Sequence, residues 1–453
     1  MVGLFIVPTF FYGEVMFMSV NNDCEIYNGG LEKYRGNEKN VVIPDGVTSI
    51  GVDAFEYCTE IGCITLPDSV RSIGVSAFKN CRSLNCIVVN ENNPNFTSVD
   101  GILYDKEVKK LIFVPRAIED LSTIQDSITS IGDGAFWNYT SLGSLTLMGI
   151  TSIGNYAFYG CNSLSSIIIP NGVTEIGHHA FFGCISLGKI IIPDSVTKIG
   201  KFAFIGCTDL SRISVCENNP NFTSVDGVLY DKDIKKLISV PNKIKDSINI
   251  PASVTSIEDC AFDGCSSLSS INVDENNQNF TSVDGILYDK EIKKLIVVPG
   301  GINGSVSISE GVKTIEDYAF DGCGSLGSII IPASVSSIGK WVFRGCASLS
   351  SINVDENNSY FTSIDGILYD KEIKKLIFVP CGINGSVVIP EGVLSIGDEA
   401  FYHCDSCVSV VIPESVTSIG KWAFRNCFML MRITIPSHLK DFFTDFDCDI
   451  IVK

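Results

Sequence analysis

The chain has few of the residues that carry most enzyme chemistry and metal binding. It contains only four histidines among 453 residues. No glycine-rich phosphate loop, nucleophile–base pair or pair of catalytic carboxylates stands out. Cys404 and Cys407 form a CxxC pair, but one such pair without a second is insufficient for a zinc site. We therefore expect no enzyme activity, no cofactor and no metal site.

Basic residues are scarce relative to acidic ones. The chain has 33 Lys and Arg against 52 Asp and Glu, a net charge of −19 and a pI near 4.6. Such a surface repels nucleic acids and anionic membranes, so neither is an expected partner. Hydrophobic residues make up 45% of the chain and charged residues only 19%, which is typical of an ordered chain with a large core.

The apolar residues 1–17 are too short and too interrupted to span a bilayer. They also make a poor leader, because they have no basic start, Pro8 breaks the apolar run and Glu14 lies where a cleavage region should be. We interpret them as a weak leader or a non-native segment. In the second case translation begins at Met16 or Met18, since the preceding codons can form a ribosome-binding sequence.

A unit of 23 residues dominates the rest of the chain. It is seen in residues 169–192, IPNGVTEIGHHAFFGCISLGKIII, and it begins again at once, so that Pro193 lies 23 residues after Pro170. Aliphatic residues at fixed positions in a period of about 20–29 residues are typical of a leucine-rich-repeat solenoid. One unit cannot bury its apolar residues alone, so each must stack on the units before and after it.

Ten of the 18 cysteines share one position of this unit, three residues after the Phe of Ala-Phe. A cysteine there can act as a small buried hydrophobe, so we predict a ladder of reduced thiols. Neighbouring rungs would lie about 4.8 Å apart, near enough on distance alone for occasional bridging. The other eight cysteines are scattered and imply no disulfide framework. The ten are Cys58, Cys81, Cys161, Cys184, Cys207, Cys265, Cys323, Cys346, Cys404 and Cys427.

A longer unit occurs four times, at residues 90–115, 216–241, 274–299 and 355–380. Its Ile-Leu-Tyr and Lys-Leu-Ile segments predict the two strands of a β-hairpin that turns at Asp-Lys-Glu or Asp-Lys-Asp. The Asp-Gly pair before the first strand predicts a sharp entry into it. We expect the paired lysines to form ion pairs with the aspartate across the hairpin, as in Asp105 with Lys109 and Lys110.

Alternation within the short unit predicts the orientation of its strand. Leu187, Ile190 and Ile192 recur in every copy, whereas positions 189 and 191 vary. The recurring residues should point inward and the variable ones outward, and stacked strands should form a parallel sheet along one face. Gly-x-x-Ala-Phe-x-x-Cys is too short for a helix and predicts one helical turn on the opposite face. Its phenylalanines should form a buried spine of Phe55, Phe78, Phe136, Phe158, Phe181, Phe204, Phe262, Phe320, Phe343, Phe401 and Phe424.

The outward strand positions form the candidate binding surface. They are small, mostly neutral and modestly apolar, and they lack the density of Trp, Tyr and Arg that marks a strong single-site interface. We expect weak contacts repeated along the surface, which gain strength through multivalency. The candidate residues are Ser166, Ile168, Lys189, Ile191, Arg212, Ser214, Ser270, Asn272, Ser328, Ile330, Ser351 and Asn353.

The short unit resembles the BspA-type (Treponema pallidum-type) leucine-rich repeat, and the longer unit resembles the enlarged coils of the same family. The resemblance runs from about residue 24 to residue 436. It implies a β-rich, right-handed solenoid with a parallel sheet on one face, short helical turns opposite and four enlarged, hairpin-bearing coils. It also implies a non-enzymatic surface or secreted protein that binds host matrix proteins or other cells.

The extent of the repeat divides the chain into consecutive segments. Residues 18–42 are expected to form an N-terminal cap, because Asn28-Gly29 between alternating segments is a strong hairpin signal. Residues 43–436 are then a continuous solenoid. Residues 437–453 abandon the repeat and are expected to form a C-terminal cap.

Three functions are compatible with the sequence. The first is a protein-binding scaffold for adhesion or host interaction, located at the cell surface or secreted. The second is a cytoplasmic protein–protein interaction module, which the thiol-rich ladder and the weak leader favour. The third, a lectin or carbohydrate-active protein, needs clustered carboxylates or aromatics that the sequence does not reveal. In the first two cases the partner is a protein or peptide, and we expect the chain to be a monomer.

Overall fold

The computed structural model describes residues 23–146, 148–443 and 448–452, and the segment 1–17 interpreted above lies outside them. The chain divides into two compact units, Met1–Lys232 and Asp233–Lys453, called unit 1 and unit 2 below. Each unit is a β-solenoid in which short strands and turns repeat from coil to coil. The solenoid predicted from the 23-residue period is therefore confirmed.

Each short coil contains a strand of three to six residues, which we call a face strand. In Lys189–Ile192 the side chains of Ile190 and Ile192 are buried and those of Lys189 and Ile191 are exposed, as predicted. Neighbouring face strands pair in parallel, with Ile190 opposite Ile213. The face strands of unit 1 are Asn40–Val42, Cys63–Leu66, Cys86–Val89, Ser144–Thr146, Ser166–Ile168, Lys189–Ile192 and Arg212–Val215. Those of unit 2 are Ser247–Ile250, Ser270–Val273, Gly304–Ser307, Leu326–Ile331, Ser351–Val354, Gly385–Val388, Cys407–Val411, Arg432–Ile435 and Asp449–Val452.

A second stack of strands, each only two residues long, follows the proline turn of each coil. These strands also pair in parallel, with Ile153 opposite Ile176 and Ile176 opposite Ile199. In unit 1 they are Ser49–Ile50, Ser72–Ile73, Ser130–Ile131, Ser152–Ile153, Glu175–Ile176 and Lys198–Ile199. In unit 2 they are Ser256–Ile257, Thr314–Ile315, Ser337–Ile338, Ser395–Ile396 and Ser418–Ile419.

The Gly-x-x-Ala-Phe-x-x-Cys segment is a series of tight turns. The amides of Ala180, Phe182 and Cys184 each donate to the carbonyl three residues earlier, at 3.3, 3.1 and 3.1 Å. His179 has a φ of 53°, a left-handed conformation that a helix does not contain. The segment therefore forms consecutive β-turns, and the helical turn predicted for it is not present. The helices among the described residues are two short 3₁₀ segments, Leu121–Thr123 and Ser437–Phe443.

Neighbouring coils approach each other closely in this turn segment. The amide of Phe181 donates to the carbonyl of Ala203 in the next coil at 2.9 Å. A Cβ atom at Gly200 would lie 2.3 Å from the backbone nitrogen of His178 in the preceding coil. Between two short coils the glycine that begins the segment is therefore required by their spacing, because any side chain would force the coils apart. After an enlarged coil the slot can hold a larger residue, as it does at Glu258 and Glu316.

The recurring phenylalanines form the buried spine that the repeat predicts. Phe181 is fully buried, and its ring stacks on Phe158 at 5.2 Å and on Phe204 at 5.9 Å between centroids. The enlarged coils lack the Ala-Phe segment, yet in two of them another phenylalanine fills the place. Phe113 lies 5.2 Å from Phe78, and Phe378 lies 4.8 Å from Phe343.

The ten ladder cysteines are all free, and eight of them are buried. Each thiol donates to a backbone carbonyl of the preceding coil, as Cys184 Sγ does to Phe158 at 3.1 Å and Cys207 Sγ to Phe181 at 3.1 Å. Burial raises the pKa of Cys207 to about 12, so its thiol is protonated and unreactive at neutral pH. The predicted ladder of reduced thiols is therefore present, without bridges between its rungs.

Each enlarged coil contains three strands, one more than the sequence predicted. Ile102–Asp105 and Lys110–Phe113 form the expected hairpin, and Phe96–Val99 pairs with the other edge of Ile102–Asp105. Asp100 and Gly101, with φ of 50° and 80°, form the two-residue turn of this additional hairpin. The later copies are Phe222–Val225, Val228–Asp231 and Lys236–Ser239, of which the last belongs to unit 2; Phe280–Val283, Ile286–Asp289 and Lys294–Val297; and Phe361–Ile364, Ile367–Asp370 and Lys375–Phe378.

A buried asparagine holds the entry to each enlarged coil. Asn93 Nδ2 donates to the carbonyls of Pro67 at 2.8 Å and Val70 at 3.1 Å, in the preceding coil. Its Oδ1 accepts from the amides of Asn95 and Phe96, both at 2.9 Å. The side chain therefore makes four hydrogen bonds. Asn219, Asn277 and Asn358 repeat this arrangement and are fully buried, as Asn93 is.

Both ends of the described chain add strands. Cys24–Tyr27 and Gly30–Tyr34 form an antiparallel hairpin through Asn28 and Gly29, which confirms the predicted turn. Gly30–Tyr34 then pairs in parallel with Ser49–Ile50. At the other end, Asp449–Val452 pairs in parallel with Arg432–Ile435 and continues the face strands beyond the last recognisable repeat.

Phe181→Ala should destabilise the protein by about 3–5 kcal/mol, because it removes a fully buried ring from between two others. Urea unfolding followed by circular dichroism measures the change. Phe428→Ala is the control, since that ring is 78% exposed and its loss should change the unfolding free energy by less than about 0.5 kcal/mol. Equal effects of the two changes would contradict the spine.

Asn93→Asp should lower the unfolding free energy by about 3–5 kcal/mol at pH 7, because it buries a carboxylate against the carbonyls of Pro67 and Val70. The loss should shrink as the pH falls, since burial raises the pKa of the new carboxyl group and favours its protonation. The same change at the exposed neighbour Asn92 is the control and should be almost neutral. Unfolding by urea at pH 5 and pH 7 tests both expectations.

Candidate binding surfaces

In unit 1 the candidate residues lie on the outer side of three face strands. Ser166 and Ile168 are exposed on Ser166–Ile168, and the side chain of Ile168 is 61% exposed. Lys189 lies opposite Arg212 and Ile191 opposite Ser214 in the next strand pair. Ser214 is half-buried, whereas Lys189, Ile191 and Arg212 are exposed. The surface is thus made of rows of like positions, with isolated aliphatic side chains among small and basic ones.

In unit 2 the candidates lie on face strands of two separate sheets. Ser328 pairs with Ser351 and Ile330 with Asn353 in one three-stranded sheet. Ser270 and Asn272 belong to another sheet, in which Asn272 Nδ2 donates to Asn249 Oδ1 at 3.2 Å. Asn272, Ile330 and Asn353 are exposed, and the three serines are half-buried. All these positions point outward.

The enlarged coils divide the face strands into short sheets. The amide of Ile87 donates to the carbonyl of Gly101 in the Asp-Gly turn at 2.9 Å, where the next face strand would otherwise pair. The same contact joins Ile271 to Gly285 at 2.8 Å and Ile352 to Gly366 at 2.9 Å. One further break, between Ser166–Ile168 and Lys189–Ile192, has only a short coil beside it. The face strands among the described residues thus form sheets of only two to four strands, and the single uninterrupted sheet expected from the sequence is not present.

A disulfide joins two outward positions of this surface. Cys63 and Cys86 lie opposite each other on neighbouring face strands, with their Cα atoms 4.8 Å apart, and their sulfurs are bonded. Both belong to the eight cysteines outside the ladder. The repeat predicted bridging distances for the buried rungs, but the pair that forms is on the outer side of the sheet, where the side chains of adjacent strands face each other directly.

The aspartate of three hairpin turns, Asp105, Asp289 and Asp370, binds backbone amides rather than lysine side chains. Asp105 Oδ1 accepts from the amides of Lys109 at 2.7 Å and Lys110 at 2.9 Å. Asp289 and Asp370 do the same in unit 2. The expected ion pairs across the hairpin are therefore replaced by capping of the turn, because the carboxylate is closer to the backbone than to the ammonium groups.

The second lysine of the pair reaches the next coil instead. Lys236 forms an ion pair with Glu258, and Lys294 Nζ lies 3.0 Å from Glu316 Oε1. These glutamates follow the two-residue strands Ser256–Ile257 and Thr314–Ile315. The enlarged coil is thus tied to the coil that follows it by a charged contact as well as by backbone pairing.

The flanking short coils contact each other across an enlarged coil, because that coil has no Ala-Phe segment to separate them. In unit 1 Asn138 Nδ2 donates to Asn80 Oδ1 at 2.7 Å, and Lys79 Nζ lies 5.3 Å from the ring centroid of Trp137. In unit 2 Arg344 reaches Asp263 at 2.5 Å and Asp321 at 2.5 Å. The contacts of Arg344 thus close the gap at residues 274–299.

At the enlarged coil 355–380 the gap remains open and forms a cleft of about 490 Å³. Five aromatic residues line it. Phe343 and Phe378 belong to the buried spine, and Trp341, Tyr402 and Trp422 come from three different short coils. Trp341 lies 5.3 Å from Tyr402 and 6.3 Å from Trp422 between ring centroids. Lys340, Lys375, Lys421, Asp398 and Glu399 also line this cavity, which we call the tryptophan cleft.

The tryptophan cleft was not predicted from the sequence, although a signal was present. Lys340-Trp341 and Lys421-Trp422 occupy the same slots of two repeats, in the segments IGKWVF and IGKWAF. Read one repeat at a time, these are variable positions without a role. Their convergence depends on the shape of the enlarged coil that lies between them.

The cysteine pair considered as a metal site, Cys404 and Cys407, has a structural role instead. The thiols of Cys404 and Cys407 are buried and donate to the carbonyls of Val379 at 3.3 Å and Ser409 at 3.4 Å. Within the ranges that the structure describes, no three His, Cys, Asp or Glu side chains are grouped so that they could hold a metal ion. A search of the same ranges for a membrane-crossing helix of sufficient length and apolarity found none.

The pattern of the BspA-type leucine-rich-repeat region matches the chain in six copies, which span residues 31–115, 106–225, 241–297, 302–365 and 371–446. Among solved structures, the chain is 26% identical to a leucine-rich cell-surface protein from Faecalibacterium prausnitzii, covering 94% of both chains with a TM-score of 0.35.

It is also 21% identical to the pneumococcal vaccine antigen PcpA, over 97% of this chain and 98% of that one, with a TM-score of 0.41. For a leucine-rich-repeat protein from T. pallidum the identity is 18%, the coverage 74% and 87%, and the TM-score 0.19. A search of curated protein sequences gave no match.

The buried carboxyl group of Asp263 should make the stability of the folded protein depend on pH. Burial, and then the neighbouring charge of Asp321, raises the pKa of Asp263 to about 6. A carboxyl group whose pKa is higher in the folded state adds stability below its unfolded pKa of about 3.9, and this is lost as the pH rises to about 6. The unfolding free energy of the wild type relative to Asp263→Asn should therefore rise by up to about 3 kcal/mol between pH 7 and pH 4. Urea titrations of both proteins across this range measure it, and a constant difference would contradict the assignment.

Proposed function

Because the chain belongs to the BspA-type leucine-rich-repeat family, we propose that it is a non-enzymatic scaffold that binds proteins or peptides in adhesion or in contact with a host or another cell. The observation that carries this proposal is the row of outward positions on the face strands. These positions repeat in register, as Lys189 with Arg212 and Ile191 with Ser214. A partner with its own repeated or extended surface can contact several such rows together.

The composition of these rows supports weak contacts repeated many times. Single exposed aliphatic side chains, such as Ile168 at 61% and Ile191 at 54% exposure, lie among small polar and basic side chains. Each can bury a small apolar area without the large anchors typical of strong interfaces. Several weak contacts on one rigid support act at high effective concentration, so their joint affinity exceeds that of any one contact.

The disulfide supports a location outside the cytoplasm. Cys63 and Cys86 are bonded on the outer side of the sheet, where solvent reaches them, and stable disulfides are typical of oxidising compartments. The free ladder thiols do not argue against export. Burial raises the pKa of thiols such as Cys81 and Cys207 to about 12, and a buried protonated thiol is protected from oxidation.

Binding of the full chain to immobilised extracellular-matrix proteins tests the proposal. Ile168→Glu combined with Ile191→Glu should weaken binding by about tenfold or more, because it places charge in two rows of the surface. Val52→Glu is the control, since Val52 is 66% exposed in a turn segment away from the face strands. Biolayer interferometry measures the affinities. No binding to any matrix protein, or an equal loss in the control, would contradict the proposed surface.

Location is tested separately on intact native cells. The proposal expects a protease added outside the cells to remove the protein, while a cytosolic marker stays intact. Recovery of the protein only from the cytosolic fraction, with Cys63 and Cys86 reduced in mass spectrometry, would favour the cytoplasmic interaction module instead.

A further inference from the structure

One residue of the tryptophan cleft departs from the pattern that follows the other enlarged coils in unit 2. After Lys236 and Lys294 the facing position of the next coil is a glutamate, Glu258 or Glu316, and each lysine pairs with it. After Lys375 the corresponding residue is Gly397. The stem of Lys375 lies beside this glycine, with its Cε 3.4 Å from where a Cβ would be. The glutamate side chain that would fill the space and hold the lysine is missing.

The walls of the cleft combine flat apolar rings with charges of both signs. Trp422 is 43% exposed, and Lys421 Nζ lies 4.2 Å from the centroid of its ring, which places a positive charge at the wall. Lys340 and Lys375 are exposed on the rim. Asp398 and Glu399 provide acceptors on the same side, and Asp398 Oδ1 already accepts from the Lys421 amide at 2.7 Å.

The local charge of this cleft differs from that of the whole chain. Three lysines and two carboxylates line it, whereas the chain as a whole carries −19. Arg344 also lines the cleft, but its guanidinium is bound to Asp263 and Asp321. An anionic group is therefore attracted to this site while it is repelled by most of the remaining surface.

We propose that the tryptophan cleft binds a carboxylated saccharide of two or three sugar units. The C–H faces of the sugar rings pack on Trp341, Tyr402 and Trp422, whose ring faces carry partial negative charge. The sugar carboxylate pairs with Lys340 or Lys375 on the rim. Sugar hydroxyls donate to Asp398 and Glu399. This site goes beyond the proposed scaffold function and uses none of the residues of the face strands.

The size and the mixed polarity of the cleft favour a saccharide over an acidic peptide. A cavity of about 490 Å³ lies within the range of small-molecule sites, which is about 300–1,000 Å³. Asp398 and Glu399 would repel a second carboxylate on an acidic peptide. A saccharide with a single carboxylate avoids this repulsion, because its other polar groups are hydroxyls, which can donate to Asp398 and Glu399 and accept from a lysine.

The experiment uses the purified full chain and a panel of immobilised oligosaccharides. The panel holds aldotriouronic acid and sialyllactose, which each have three sugar units and one carboxylate, each beside its carboxyl-reduced counterpart, together with a hexaglutamate peptide. We expect binding to at least one carboxylated sugar and at least about tenfold weaker binding to its reduced form. Binding to none of the sugars, equal binding to the reduced form, or preference for the peptide would each overturn the proposal.

Gly397→Glu is the decisive variant, because it gives Lys375 a glutamate partner like those of Lys236 and Lys294. The aromatic residues of the cleft stay in place. The new side chain should pair with Lys375, fill the cleft and weaken saccharide binding by about tenfold or more. Its Cβ would lie 3.0 Å from the carbonyl oxygen of Leu376, so circular dichroism checks that the variant keeps the wild-type fold. Gly397→Ala is the control, because its Cβ makes the same approach to the Leu376 carbonyl oxygen but it has no carboxylate to pair with Lys375 or to fill the cleft, and it should leave binding almost unaltered.

A second pair of variants separates the rings from the fold. Trp422→Ala should abolish saccharide binding. Trp137→Ala changes the one tryptophan of the chain that does not line the cleft, and it should leave binding intact. Unimpaired binding by Gly397→Glu and Trp422→Ala would place the saccharide elsewhere and overturn the proposal. Binding of matrix proteins through the face strands should be the same in all four variants, so this result is independent of the proposed scaffold function.

Discussion

The contact between equivalent residues of successive coils is the interaction on which everything else in each unit depends. Phe181 packs between Phe158 and Phe204, Cys184 donates to the carbonyl of Phe158, and the amide of Phe181 donates to Ala203. Within the described part of the chain, no coil has a core of its own. Core residues, thiols and backbone groups all find their partners one repeat away, so a coil is stable only between its neighbours.

The enlarged coils continue this stacking in the core but interrupt it at the surface. Phe113 and Phe378 continue the aromatic spine, and the second lysine pairs with the next coil where a glutamate is present. On the strand side, however, the Asp-Gly turn ends the face sheet. On the turn side, the missing Ala-Phe segment leaves a gap that is closed by Arg344 in one place and lined by Trp341 and Trp422 in another. The surface features of the protein therefore follow from its interruptions.

Residues whose role is set within one repeat could be predicted from the sequence. The burial of Phe181 and Cys184 and the exposure of Ile191 follow from the period and from alternation alone. Asn93 was missed because its four partners are backbone groups, which a sequence pattern does not display. Trp341 and Trp422 were missed because they meet across a coil of different shape. Cys63 and Cys86 lie 23 residues apart, so that pairing could have been found by applying the period to the cysteines outside the ladder.

The shared register of short and enlarged coils has a consequence for how the gene can change. Asn80 and Asn138 occupy matching slots on either side of an enlarged coil and are separated by 58 residues. Recombination between such matching slots would remove or duplicate one enlarged coil with its neighbouring short coil and rejoin the chain with every stack intact. Unequal exchange between the repeats can thus alter the length of the array, and the number of clefts it carries, in a single event that a protein with one closed core would not survive.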